Sequence, residues 1–288
     1  MQSKTAVRLR NSFVEFSFLI PSLLIFLLMI IAPFLMGSLY AFTDWNGLTV
    51  DFNFVGFQNF VNVFNEMRII NATRNTLQFT FLQVLSVNIV GLAMALLIKE
   101  ATRFNRILRT TFFMPFMCSI VFASFIWSHF YRDVVEGIFG ITNPISQIHT
   151  VIPAIAGIAL WRDAGFAMLI YIAALQAIPN SIYEAAKVDG VTHIQRFFRI
   201  TLPLIVPAIT INVTLFLGWG LRTFDYVMAA TGGGPGTSSE TVAMLVYYYT
   251  FPWNRAGMGQ AFALTMMAAI VIITQFVARA LRSREVEF

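Results

Sequence analysis

Long stretches without charge limit what this chain can fold into more than any other feature. No Asp, Glu, Lys, Arg or His interrupts residues 16–43, 75–98, 164–183, 200–221 or 256–278, and only His129 interrupts 110–131. A helix of about 20 apolar residues crosses the hydrocarbon core of a bilayer and satisfies its own backbone amides and carbonyls there. The chain is therefore expected to be an all-α integral membrane protein with six transmembrane helices. We place them at 14–41, 75–98, 110–131, 152–178, 203–227 and 256–279. The fourth begins before its uncharged run because the segment IPAIAGIALW extends it, which puts Arg162 and Asp163 inside a helix. Charged residues make up 11% of the chain, against about 25% in soluble domains. No repeat, low-complexity tract or soluble domain interrupts the pattern, so residues 1–288 form one transmembrane domain. The first run exceeds the apolar core of a secretion signal, about 7 to 15 residues, and is expected to be retained as a helix.

The basic residues set the orientation. With the amino terminus inside, the cytoplasmic groups are Lys4, Arg8 and Arg10; Lys99, Arg103, Arg106 and Arg109; Lys187, Arg196 and Arg199; and Arg279, Arg282 and Arg284. Only Arg68, Arg74, Arg132, Arg162, Arg222 and Arg255 fall outside or within the membrane. The positive-inside rule then makes both termini cytoplasmic. These residues flank apolar runs and form no stripe, so the net charge of +5 suits the surface of an anionic leaflet better than nucleic acid. Membrane lipid is an expected partner and nucleic acid is not. Cys118 is the only cysteine; it forms no intrachain disulfide and is expected to pack.

Between two of the apolar runs, on the cytoplasmic side, lies a polar segment, 179–203. Ser181 and Glu184 have capping-box spacing, predicting a helix start near 181. Ile182, Ala185 and Ala186 form a narrow apolar face, and Gly190 suits a left-handed helix end. Thr192 and Gln195 repeat the capping box, Ile194, Phe197 and Phe198 form a second face, and Pro203 opens the next element. Two short helices around one glycine make a hairpin. The plain alternative is an ordinary connecting loop, which would have no use for two apolar faces.

Glu184, Ala185 and Ala186, then Gly190, then Ile200, Leu202 and Pro203 match E-A-A-x3-G-x9-I-x-L-P at every fixed position. The chain therefore resembles the membrane permease subunits of binding-protein-dependent ABC importers. The loops DWNG, FVGFQNF and TGGGPG resemble those of the carbohydrate branch, typified by maltose and glycerol-phosphate permeases. The resemblance implies a type I ABC importer fold in a bacterial inner membrane. It makes the hairpin a coupling helix in which Glu184, Ala185, Ala186, Asp189, Gly190, Ile200, Leu202 and Pro203 meet an ATPase. It also implies four kinds of partner: a second homologous permease, two ATPase subunits, an extracytoplasmic solute-binding protein and a sugar-like cargo. ATP and Mg would be bound by the ATPase, and this chain would hold no cofactor.

No constellation for catalysis stands out. His129, His149 and His193 lie in three segments without metal-ligand spacing. The run Gly232, Gly233, Gly234 and Gly236 lacks the Lys-Ser/Thr of a P-loop and reads as a tight external turn. The chain is thus expected to be neither an enzyme nor a metalloprotein. Polar residues within the bilayer are more informative, because each is costly unless it meets a partner or an aqueous path. Arg162 and Asp163 are neighbours, and Arg222 and Asp225 stand three apart; each pair is either a structural ion pair or a place for cargo. Asn212, Phe216, Trp219, Thr223 and Tyr226 share one face of the fifth helix by the i, i+4, i+7 pattern, mixing hydrogen-bonding groups and aromatic rings as sugar recognition requires. Trp161 and Asn88 are further candidates. The rival to an ATP-driven importer is an ion-gradient-driven transporter or channel acting without an ATPase.

Overall fold

The computed structural model describes residues 18–285, so the first positions of the 14–41 span lie outside the described residues. Among those described, helices form the whole framework, and one isolated bridge joins Thr43 to Phe54. In chain order they are α1 (Phe18–Tyr40), α2 (Gln58–Asn65), α3 (Met67–Ile98), α4 (Arg103–Met117), α5 (Ile120–Glu136) and α6 (Val151–Ala177). Then follow α7 (Asn180–Val188), α8 (His193–Leu204), α9 (Val206–Leu221), α10 (Asp225–Ala230), α11 (Val242–Thr250) and α12 (Ala256–Arg282). Four helices are long and apolar enough to cross a membrane, or six if the bent pairs α4–α5 and α8–α9 each count as one.

Contacts divide the chain into two units, residues 18–64 with 247–264 and residues 65–246 with 265–285. In the first unit, α1 exposes Leu24, Ile25, Leu28 and Leu39, a surface suited to lipid or another membrane protein. The loop after it is tied down locally. Asn53 donates its amide N–H (2.6 Å) and Nδ2 (3.1 Å) to the Asp44 carboxylate, which holds that carboxyl below its usual range. Asn46 Oδ1 accepts from the Leu48 and Thr49 amides, and Tyr40 stacks on Trp45. Asn59 on α2 donates to the Ala41 and Thr43 carbonyls, while Phe57, Val61 and Phe64 on the other side stay exposed.

The second unit is organised around α6, which packs against α3, α4, α5, α9 and α10. More than half of its most apolar window, 56%, is buried, compared with 28% for α3. Val87, Ala167, Met168, Tyr171, Ile172, Leu175 and Phe216 belong to this core. Helices meet closely where a side chain is missing: a Cβ on Gly165 would strike the Phe112 carbonyl. Helix α4 is thereby held against α6 by backbone contact, which a bulkier residue prevents.

Three expected spans need correction. The helix placed at 75–98 begins at Met67, with Glu66 as its cap. Arg68 and Arg74 end the uncharged run but not the hydrogen-bonded helix, whose 32 residues measure about 48 Å. The span placed at 110–131 is two helices meeting at 96°. Pro115 and the extended Cys118 end α4, and the Ser119 hydroxyl caps α5 by accepting from the Phe122 amide. The span placed at 203–227 is preceded by α8, bends by 65° at Ile205 and stops at Leu221. Beyond it, Arg222 to Phe224 leave helical geometry before the short α10. Helix α11 had no counterpart in the expected set.

Gly165→Val should destabilise the protein by about 1–3 kcal/mol or more through overpacking, read as a lower thermal midpoint in detergent. Gly218→Ala, where an added Cβ meets nothing within 4 Å, should leave the midpoint unchanged.

Candidate functional site: a cavity at two helix breaks and a cytoplasmic-type hairpin

The α4–α5 break and the non-helical stretch between α9 and α10 open onto one cavity of about 360 Å³. Gln83 of α3, Phe116 of α4 and Ile120 of α5 form part of its wall; Arg162 and Asp163 of α6 form another. The remainder is Trp219 at the end of α9, Arg222, Thr223 and Phe224 in the break, and Asp225 and Tyr226 at the start of α10. Gln83 and Asp163 lie near the middles of their helices, so the cavity is at mid-membrane depth if α3 and α6 span the bilayer. Discontinuous helices commonly build transport sites at that depth, because the broken backbone lines a cavity and avoids lipid.

Asp163 is the hub. Only 1% exposed, it accepts from Arg162 Nη1 at 2.6 Å on one oxygen, and from Gln83 Nε2 at 2.9 Å and the Tyr226 hydroxyl at 3.0 Å on the other. Arg162 also donates its Nε to the Cys118 carbonyl at 3.1 Å, a carbonyl freed by the α4–α5 break, and lies 4.7 Å from the Phe116 ring centre. This network joins α3, the first break, α6 and α10. A buried charge pair survives only when its remaining hydrogen-bonding capacity is also met. Here, three donors on the carboxylate meet that requirement.

The second expected pair does not form. Helix α9 stops before Arg222, so Arg222 and Asp225 do not occupy positions three apart on one helix, and neither makes an ion pair among the described residues. Both are exposed at the cavity. The same break separates the expected stripe. Asn212 and Phe216 are fully buried, Asn212 donating to the Ala167 carbonyl and Phe216 packing edge-on against Trp219 at 5.3 Å. Trp219, Thr223 and Tyr226 reach the cavity. Asn88 is occupied in helix packing, accepting from the Tyr171 hydroxyl and donating to the Val84 carbonyl. Trp161 packs edge-on against Trp127 and is not part of the cavity wall.

Gln83 and Phe116 escaped the sequence reading. Gln83 carries the signal that selected Asn88, an amide in an uncharged run, and its Oε1 is buried without a hydrogen-bond partner among the described residues. A Cβ on Gly220 would come 3.0 Å from that oxygen, so a glycine at the end of α9 lets the amide sit between α3 and α6.

The loop between α10 and α11 braces the break after α9. Thr241 Oγ1 donates to the Thr223 carbonyl, the Val242 amide donates to Thr76 Oγ1, and Asn75 Nδ2 donates to the Glu240 carbonyl. Gly232, Gly233 and Gly236 supply the left-handed turns this loop needs. Glu240 pairs with Arg68 at 3.4 Å; burial pushes its carboxyl up, opposed by the Arg68 charge.

At the end of α6, Pro179 leads directly into α7. The expected capping box at Ser181 and Glu184 is absent: α7 begins at Asn180, with Pro179 as a cap that makes no side-chain hydrogen bond. Proline already sets the chain direction there, and this leaves the exposed Glu184 carboxylate available. The far end matches the expectation. Gly190 has φ +70°, its N–H donates to the Lys187 carbonyl, and the Val191 N–H donates to that of Ala186, closing a Schellman turn. Thr192 and Gln195 form both bonds of their capping box. Ala186 is buried, whereas Val188, Ile194 and Phe198 are exposed, the last at 61%. Asp189, Ile200, Leu202 and Pro203 complete the hairpin and its return.

Asp163→Ala should cost about 3–5 kcal/mol, because it leaves Arg162 buried without its anion. Arg222→Ala, at an exposed position outside any ion pair, should cost almost nothing. Thermal unfolding of the purified variants measures both.

Comparison with known proteins fits this geometry. Residues 87–286 match the family described as binding-protein-dependent transport system inner membrane component. The chain is 29% identical to AmyD, a probable starch degradation products transport system permease of Thermoanaerobacterium thermosulfurigenes, over 99% of each protein. It is 32% identical to the sulfoquinovosyl glycerol transport system permease SmoG of Agrobacterium fabrum, covering 93% of this chain and 90% of that protein. Among solved structures, a bacterial alginate ABC transporter in complex with an alginate pentasaccharide-bound periplasmic protein aligns with a TM-score of 0.80 and 25% identity over 94% of each chain. The chain belongs to the family of binding-protein-dependent transport system inner membrane components, and is a multi-pass, non-catalytic permease subunit of an ABC importer.

Proposed function

We propose that this permease carries a sugar or sugar-like solute through the cavity at its two helix breaks, and that the hairpin 179–203 is where a separate ATPase drives it. The observation that carries the cargo reading is the lining. Trp219 provides an aromatic face, while Arg222 and Asp225 provide hydrogen-bonding groups outside the buried ion pair. Pyranose rings present the complementary chemistry, an apolar face edged with hydroxyls. The names of AmyD and SmoG favour the same class.

In this reading, a second permease completes the path and a solute-binding protein delivers cargo from outside. The aligned alginate complex, which includes a periplasmic protein, supports that delivery route. Two ATPase subunits binding ATP and Mg close on the cytoplasmic side, where the positive-inside rule places both termini. Glu184, Ala185, Ala186, Asp189 and Gly190 meet the ATPase, and Ile200, Leu202 and Pro203 return its movement to the membrane. Exposed Val188, Ile194 and Phe198 give the ATPase an apolar surface to grip.

Glu184→Lys and replacement of Gly190 by a bulky residue should abolish transport-linked ATP hydrolysis while leaving membrane insertion intact. Retained cargo-stimulated hydrolysis in the reconstituted complex would rule out the coupling role. Trp219→Ala or Arg222→Ala should raise the cargo concentration for half-maximal stimulation about 10- to 100-fold, corresponding to loss of one charged or stacked contact. Stimulation measured across a panel of neutral sugars, uronate oligosaccharides and glycerol phosphate, each with its binding protein, identifies the cargo.

A further inference from the structure

The inner end of α3 is gripped more firmly than a helix end requires. Its last carbonyls have no partner within the helix, and Arg109 of α4 takes three in succession. Nε and Nη2 donate to Ile98 at 3.1 and 2.8 Å, and Nη2 donates also to Lys99 at 2.7 Å and Glu100 at 3.1 Å. Gln176, near the end of α6, adds a second bond to the Lys99 carbonyl at 2.7 Å. The Lys99 ammonium then lies 5.5 Å from the centre of the Tyr183 ring on α7, and the Arg196 guanidinium of α8 lies 5.7 Å from the same ring. The Tyr183 hydroxyl is 3.4 Å from Thr201 Oγ1 on α8, the returning arm of the hairpin. Tyr183 is half-buried, so one aromatic ring joins both arms of the hairpin to the end of α3.

We infer that Arg109 and Tyr183 are positioning residues that fasten α3 to the hairpin, making it a second rod, beside α6, by which hairpin movement reaches the cavity. Helix α6 is joined to the hairpin covalently, through Pro179, and carries Asp163. Helix α3 is joined to it without a covalent link, through these contacts and the packing of Ile98, and carries Gln83, Asp163's partner, about 23 Å further up the helix. A movement that shifted α6 and left α3 behind would shear the Gln83–Asp163 bond. Fastening both rods to one hairpin moves the two sides of that bond together. Rigid helices, packed rings and hydrogen bonds of this kind can carry coupling between distant sites, and cation–π contacts supply part of the grip.

This inference rests on the coupling role proposed above, so its test includes Glu184→Lys as a reference. The complete importer, reconstituted in liposomes with its binding protein and cargo, is assayed for the ratio of cargo-stimulated to basal ATP hydrolysis, and for ATPase retained on purification. Arg109→Ala and Tyr183→Leu should lower the ratio about 2- to 30-fold with ATPase retention unchanged. Tyr183→Phe keeps the ring and should stay near wild type, and Arg109→Lys, which keeps the charge without the fork, should fall between. Lys99→Ala combined with Tyr183→Leu should lose no more than Tyr183→Leu alone if the two act through one contact. An unchanged ratio in both Arg109→Ala and Tyr183→Leu overturns the inference. So does a ratio that falls only in step with lost ATPase, because that assigns these residues to docking or folding. If Glu184→Lys itself keeps full stimulation, the coupling role of the hairpin is what fails.

Discussion

A carboxylate in the middle of a membrane helix is tolerated only with partners on every side, and Asp163 dictates much of the second unit for that reason. It draws Gln83 from α3, Tyr226 from α10 and its own neighbour Arg162 into a single network. Arg162 in turn takes the Cys118 carbonyl, which a continuous helix would have kept for itself. The ion pair and the α4–α5 break thus satisfy each other: the break frees an acceptor for the guanidinium, and the guanidinium covers a carbonyl that lipid would leave bare.

The second break follows the same logic with a different brace. Helix α9 ends at Leu221, and the α10–α11 loop bonds the Thr223 carbonyl through Thr241. This turns Tyr226 toward Asp163 and leaves Arg222 and Asp225 out of the network. The cavity therefore has two kinds of charged group. Arg162 and Asp163 are consumed by structure, whereas Arg222 and Asp225 are exposed at the wall. A search for cargo ligands among charged residues alone would treat the two pairs alike. Hydrogen-bond accounting separates them.

Charge-free runs located the helical framework because insertion energetics act directly on composition. They failed where geometry turns on one or two residues. Pro115 and Ser119 are the punctuation of the first break, yet the run 110–131 stays uniformly apolar across it. The charge-free run 200–221 does stop at Leu221, but a span drawn to 227 carries Arg222 and Asp225 inside the helix, so the spacings of Arg222, Asp225, Thr223 and Tyr226 belong to a helix that has already ended. The hairpin was more legible, since a left-handed Gly190 and the Thr192–Gln195 box are local devices with fixed spacing. Its first cap was misread because Pro179 had already set the helix start. Gln83 was missed for the opposite reason: its importance comes from Asp163, eighty positions away in sequence.

In the proposed reading, the cavity and the hairpin share a mechanical basis. Helix α6 runs without a break from the Arg162–Asp163 pair to Pro179, so the hairpin hangs from the helix that carries the buried charge. A long unbroken helix resists bending, and its neighbours are interrupted at the α4–α5 angle and between α9 and α10. Displacement imposed on the hairpin is therefore passed on by α6 and absorbed at the breaks, where backbone groups already depart from helical pairing. Those breaks form the wall of the cavity. A protein built with six straight helices would have no such compliant points at mid-length, and force on its hairpin end would tilt whole helices without reshaping the site between them. Broken helices around an unbroken one give a hairpin something to push with and a cavity something to yield at.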